Sequence, residues 1–214
     1  MNNLWHPENS LARSGFTLIE LLVAIAMASI ILVAIAGLFQ RLSRSYTTQN
    51  AYADLQQGIR STLDVMADDI RMAGYNPTQS GVSFGIEKAE AFRLRLTVDR
   101  NENGLIDTAP AGNEIITYLY APAQRSVQKR WSEGRPQQTS QPLFGGTDNP
   151  VNVIFLSFNY LDGNNQPTTI LSAIQAIVIT LVAEEPAGRA NDPTASSAGM
   201  VRRTYRTRVE CRNL

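Results

Sequence analysis

The sequence of 214 residues predicts an α+β fold, with one long amino-terminal helix packed on an antiparallel β-sheet. Three observations carry this. A helical pattern runs unbroken through the first third. From Gly81 onward the apolar period changes to two, and turn-rich stretches separate the period-two runs.

The helix comes first. Residues 16–39 are apolar almost throughout; at about 1.5 Å per residue a run of about 24 residues reaches about 36 Å, against about 30 Å of bilayer hydrocarbon. No proline intervenes between Pro7 and Pro77, and no glycine between Gly37 and Gly58. Tyr52, Leu55, Ile59, Leu63, Met66 and Ile70 recur at gaps of three and four, the stripe of an amphipathic helix. Gly74 suits the position after the last helical residue, and Pro77 lies just beyond. One helix is therefore expected from about Phe16 to about Ala73, spanning a membrane over 16–39 and packing on the sheet over 40–76.

Strands follow over 77–214. In AFRLRLTV, Phe92, Leu94, Leu96 and Val98 point one way and Arg93, Arg95 and Thr97 the other, as in a half-exposed strand. Residues 114–120, 151–161 and 173–183 read as further strands, the last two apolar enough to be central. The final stretch alternates again, with Tyr205, Thr207, Val209 and Cys211 on one side and Arg206, Arg208 and Arg212 on the other. Residues 132–150 and 184–199 are rich in Pro, Gly, Ser, Asn and Thr and are expected to be mobile loops.

Composition argues against an enzyme. The 19 basic and 19 acidic residues balance, so no global charge favours nucleic acid or acidic lipid. His6 is the one histidine and Cys211 the one cysteine, which excludes an internal disulfide and any multi-thiolate metal site. Removal of the first residues would leave no imidazole for a triad, a zinc site or a general base.

Within the apolar run one residue is out of place. Glu20 would cost about 2.5–3.5 kcal/mol at a bilayer centre, less near an interface. A secretory signal is one reading of this segment, since Ala34-Ile35-Ala36 fits a cleavage site, but the apolar region is too long for it. A plain signal anchor is another, and it leaves Glu20 unexplained. The residues Arg13-Ser14-Gly15-Phe16-Thr17-Leu18-Ile19-Glu20 resemble the cleavage and methylation signature of type IV prepilins. The resemblance implies a leader over 1–15, cleavage by a prepilin peptidase between Gly15 and Phe16, and N-methylation of Phe16. In a helical stack of subunits Glu20 would then meet the Phe16 ammonium of a neighbour. Thr17 to Glu20 also form an S/T-x-x-E capping box, in which Glu20 bonds the backbone at the helix start. Arg13 is offset by Glu8, and Arg41 and Arg44 lie beyond the span, so loop charge alone does not orient the helix.

The layout of helix and sheet is similar to that of pilins, and RMAGYNP at 71–77 and RTRVECRN at 206–213 resemble the PilW group of minor pilins. What this implies is a single-pass inner-membrane protein with a periplasmic head, which joins other minor pilins and the major pilin, primes the pilus, and supports adhesion and twitching motility at the cell surface. The J-type pseudopilin of type II secretion shares these features and is the alternative.

Two further patterns are candidate sites. Asp99, Asn101, Asn103 and Asp107 around Gly104 have the D-x-N-x-N-G-x-x-D spacing of calcium loops, although Pro110 stands where an EF-hand needs a bidentate glutamate. A calcium-dependent tip adhesin is the function this would imply; a polar hairpin turn is the plainer reading. Arg202, Arg203, Arg206, Arg208 and Arg212 could form a basic face, but without aromatic stacking partners no nucleic acid is expected. They are expected to be solvated or to pair with Asp64, Asp68 and Asp69, whose helix face reads as simply charged. Cys211 is expected to be a buried small hydrophobe.

Overall fold

The computed structural model describes residues 15–108, 112–187 and 199–214. The chain divides into two compact units, Met1–Ser45 and Tyr46–Leu214. Arg13 and Ser14 of the expected leader, and Pro110 of the calcium-like loop, lie outside the described residues.

Helix α1 spans Leu18–Met72, within two residues of expectation at each end. Thr17 starts it: its hydroxyl accepts the Glu20 N–H at 3.3 Å and its carbonyl the Leu21 N–H at 3.2 Å. Ser29, alone among apolar neighbours, returns its hydroxyl to the carbonyls of Ile25 and Ala26, both at 2.9 Å. The helix ends where sheet and carboxyl terminus take over its last groups. Gly74, at φ +85°, donates its N–H to the Thr97 carbonyl at 3.1 Å, and the Asn213 amide donates to the Arg71 carbonyl at 2.9 Å. A Cβ at Gly74 would overlap the Asn213 carbonyl oxygen.

Eight strands follow: β1 Ile86–Glu90, β2 Arg93–Thr97, β3 Ile115–Ala121, β4 Ser126–Trp131, β5 Thr139–Gly145, β6 Asn152–Leu161, β7 Ala176–Pro186 and β8 Met200–Glu210. All neighbours pair antiparallel, but in two sheets and not the single one expected: β1-β2-β3-β4-β5 and β6-β7-β8. The sheets are joined by backbone bonds that period-two reasoning cannot see. Val153 N–H donates to the Arg125 carbonyl and Phe158 N–H to the Ala91 carbonyl, both at 2.8 Å, while the Tyr160 hydroxyl donates to the Glu90 carbonyl at 2.8 Å.

Three strands lie outside the period-two runs of the sequence. β1 and β4 mix charged and apolar residues, and β5 lies within the 132–150 stretch expected to be a loop. Its sequence TSQPLFG carries a proline, tolerated because β5 pairs on one side only, with β4. At the second expected loop, β7 continues through Glu184, Glu185 and Pro186; residues 188–198 lie outside the described residues. β7 is central as expected, whereas β6 is an edge strand.

The core forms between the second half of α1 and both sheets. Leu55, Ile59, Leu63, Met66 and Ile70 are buried in one cluster with Leu94, Leu96, Tyr118, Leu156, Ile177 and Leu181, among others. Each such side chain contributes about 1.5–3 kcal/mol by leaving water. Tyr52, expected in this stripe, is partly exposed under the Arg203 guanidinium, 4.6 Å from the ring centroid, and Ala51 is buried instead. Thr97, expected on the outer face of its strand, is fully buried, and its hydroxyl accepts the Gly85 N–H at 2.9 Å.

Candidate functional site

The amino-terminal segment presents its chemistry on a regular helix. Phe16, Leu18, Ile19, Leu21 and Leu22 are exposed, as are the large apolar residues through Phe39. The helix is long and apolar enough to cross a membrane. Thr17 makes its half of the capping box, but the Glu20 carboxylate makes no hydrogen bond or ion pair among the described residues. Only the backbone N–H of Glu20 serves the helix start. Gly15 and Phe16 precede the first helical residue and are exposed.

The structure brings Asp99, Asn101, Asn103 and Asp107 together in the β2–β3 connection, and adds Glu114, which sequence spacing missed. Asp99 is fully buried, its two oxygens accepting the N–H groups of Asn103 at 3.2 Å and Gly104 at 2.9 Å. Glu114, also fully buried, accepts the N–H groups of Arg100 and Asp107, both at 2.8 Å. The side-chain amides of Asn101 and Asn103 donate to one oxygen of Asp107, at 2.8 and 2.6 Å. A calcium cage needs oxygens converging on a point. Here the amide nitrogens face Asp107 instead, and among the described residues no group of three or more His, Cys, Asp or Glu is placed to hold a metal. As arranged, these residues form a hydrogen-bonded turn. Tyr75 borders it, its hydroxyl donating to Glu102 at 3.2 Å; that bond, with the charge behind it, raises the tyrosine pKa.

The carboxyl-terminal arginines do not reach Asp64, Asp68 or Asp69. Arg202 pairs with Glu184 at 2.9 Å and Arg208 with Glu210 at 3.7 Å, while Arg203 stacks on Tyr52. Asp68 pairs with Arg71 one turn along at 2.7 Å, on the exposed face. Asp69 is a different matter: it is buried, with Lys129 Nζ at 2.6 Å, Arg100 at 2.9 Å and the Tyr118 hydroxyl at 2.5 Å. Burial first, and then the Asp69 charge, push the Tyr118 pKa far up, so this phenol stays a donor. A signal existed. Asp69 stands three residues after Met66 and four before Ala73, on the buried stripe, and Lys129 alternates with Val127 and Trp131. Cys211 is half-buried against the core, and burial pushes its thiol up to about 11.

Comparison with known proteins adds three findings. Residues 11–36 match the prokaryotic N-terminal methylation motif. Residues 48–209, most of the chain, match the family described as Prepilin peptidase-dependent protein B. Among solved structures, a type IV-like pilin from Thermus thermophilus is similar at 17% identity and a TM-score of 0.49, over 75% of this chain and 97% of that one. No curated protein matches the sequence.

Proposed function

We propose that this chain, which belongs to the prepilin peptidase-dependent protein B family, is a PilW-type minor pilin. A prepilin peptidase cuts it between Gly15 and Phe16 and methylates the new amine of Phe16. The apolar helix over 16–39 is retained and holds the subunit in the inner membrane, with the head in the periplasm. The subunit then joins other minor pilins and the major pilin, primes the type IV pilus, and serves adhesion and twitching motility at the cell surface. Its role is structural, with no reaction of its own.

Glu20 is the observation that carries this reading. Its carboxylate lies exposed in an apolar helix, without a partner among the described residues, four positions from Phe16. A carboxylate left alone in hydrocarbon is penalised. An α-amine titrates near 7.7–8.0 in water, and N-methylation leaves it cationic, so the processed amino terminus of a neighbour supplies the missing charge. In a stack of subunits each of the two groups meets the complementary group of the next.

The first test is mass spectrometry of the mature chain, which should begin at N-methylated Phe16; any other start refutes the processing step. The second is Glu20→Ala, expected to give a cleaved subunit that fails to enter fibres, whereas normal fibres would refute the charge pairing. Deletion of the chain is expected to reduce piliation. Lost protein secretion with intact pili would move it to the J-type pseudopilins, which would use the same helix chemistry.

A further inference from the structure

We propose that the outer edge of β8 takes up an extended, acidic segment of another protein as a fourth strand of the second sheet. The surface lies wholly within the unit Tyr46–Leu214.

Register decides which backbone groups of β8 are open. β7 and β8 pair without a shift from Ala176↔Glu210 to Pro186↔Met200. Both ends of that ladder are fixed: the Ala187 N–H donates to the Gly199 carbonyl at 3.0 Å, and the Cys211 N–H to the Gln175 carbonyl at 2.9 Å. In an antiparallel pair, residues that exchange bonds with the partner alternate with residues that turn away from it. Odd-numbered residues of β8 therefore bond to β7, while Arg202, Thr204, Arg206 and Arg208 direct their N–H and C=O groups outward. No group among the described residues bonds to that outer row.

The other sheet edges are closed by recognisable means. β6 commits the N–H groups of Val153 and Phe158 to the first sheet. β1 is five residues long and irregular, and β5 carries Pro142 and a register shift. Among the described strands, β8 alone joins an open edge to eleven residues of continuous register without proline or glycine. Such an edge is a template for a further strand, and main-chain bonds supply the affinity when an extended peptide adds to it.

Charge selects the occupant. β8 carries four arginines and one glutamate. Arg202, Thr204, Arg206, Arg208 and Glu210 are all exposed, whereas Val201 and Val209 are buried, and Arg203 and Tyr205 stack with Tyr52 and Arg60 of α1. Arg202 is neutralised by Glu184, and Arg208 is held by the Asn165 side chain at 2.8 Å. Arg206, at the middle of the row, makes no ion pair or hydrogen bond among the described residues. A second copy laid antiparallel on this edge would set arginines opposite or beside arginines, which is destabilising. An acidic strand meets the same row with opposite charge at the alternate positions that share its face. The arginines thus keep copies of the chain apart and admit one class of partner. Nothing in this depends on which fibre the subunit enters.

The test uses the full chain in phosphatidylcholine nanodiscs, whose lipid carries no net charge. The probe is an acetylated decapeptide amide that alternates glutamate with valine and threonine, followed by fluorescence anisotropy and by NMR hydrogen exchange of the β8 amides. It should bind with a dissociation constant of about 100 μM and slow exchange at Arg202, Thr204, Arg206 and Arg208. Arg206→Glu should weaken it about tenfold and admit the peptide that has lysine for glutamate. Thr204→Pro removes an outward N–H and none that β7 uses, so Tm should hold while binding falls by about tenfold or more. N-methylation at the glutamates, whose amides would face β8, should abolish binding; at the intervening residues it should not. The proposal is overturned if the acidic peptide does not bind by about 5 mM, or if the lysine peptide binds the parent equally well. It is overturned too if Thr204→Pro and glutamate N-methylation leave binding unchanged, which would be charge attraction without a strand. Protection of the same amides in the peptide-free chain as its concentration rises would give the edge to a second copy and end the proposal.

Discussion

At the scale of single residues, the consequential side chain of the head is Asp69. It gathers Lys129, Arg100 and Tyr118 at the junction of α1 with β3 and β4. Asp69→Ala would leave the Lys129 ammonium and the Tyr118 hydroxyl buried without their partner, and should cost about 3–5 kcal/mol in urea unfolding. Replacing the set together, as Asp69→Leu, Lys129→Met and Tyr118→Phe, should cost less than that single change, because no buried polar group is then orphaned and the Arg100 guanidinium, the remaining partner, is open to water. A single variant that unfolds with the parent midpoint would sink this account. Glu185 makes the opposite contribution. Burial raises its pKa, the charge of Asp54 adds to the rise, and one of its oxygens is buried without a partner. The folded state therefore holds the proton more tightly than the unfolded chain. Below the unfolded pKa both states are protonated and no cost arises; above the folded pKa the cost is complete. Glu185→Gln should raise Tm at pH 7 by roughly 1–2 °C, small because solvent screens the site, and by nothing near pH 4. Thermal melts at the two pH values decide it. Glu185 sits in a stretch that reads as loop, so its burial was not legible until the sheet register was known.

At the scale of elements, α1 shows how far local pattern reaches. Its start at Thr17, its buried stripe and its end at Gly74 all follow from short-range spacing, and all are where the sequence puts them. Gly58 is the exception inside it. A glycine costs about 1 kcal/mol in a helix interior, and the structure shows why it stands there: a Cβ would overlap the Phe144 ring of β5. Gly58→Ala should therefore destabilise the head by about 1–3 kcal/mol despite its better helix propensity. The same substitution in a Phe144→Leu background should be neutral or stabilising. Denaturant midpoints of the four proteins in this cycle give the coupling, and a stabilising Gly58→Ala in the parent would refute the contact. Neither partner is interpretable alone, since β5 reads as a loop until its pairing with β4 is seen.

At the scale of the whole molecule, the division at Ser45 and Tyr46 makes a physical prediction. Buried residues of α1 begin at Ala51, so a fragment starting at Tyr46 keeps every one of them. It should fold in water without detergent, with one cooperative transition and helical and strand signals in circular dichroism; a non-cooperative melt would contradict the independence of that unit. By itself the sequence determined the helix and its limits, the membrane-length apolar run with its single carboxylate, and the strands with strict alternation. Those features rest on neighbours within about four residues in the chain. Only the tertiary structure decided that the strands part into two sheets, that TSQPLFG pairs with β4, that Asp69 is buried while Asp68 is not, and that the calcium-like loop closes on its own hydrogen bonds. Each of those depends on partners from distant segments, such as Glu114 for Asp107 or Lys129 for Asp69, and local periodicity carries no information about which distant group arrives.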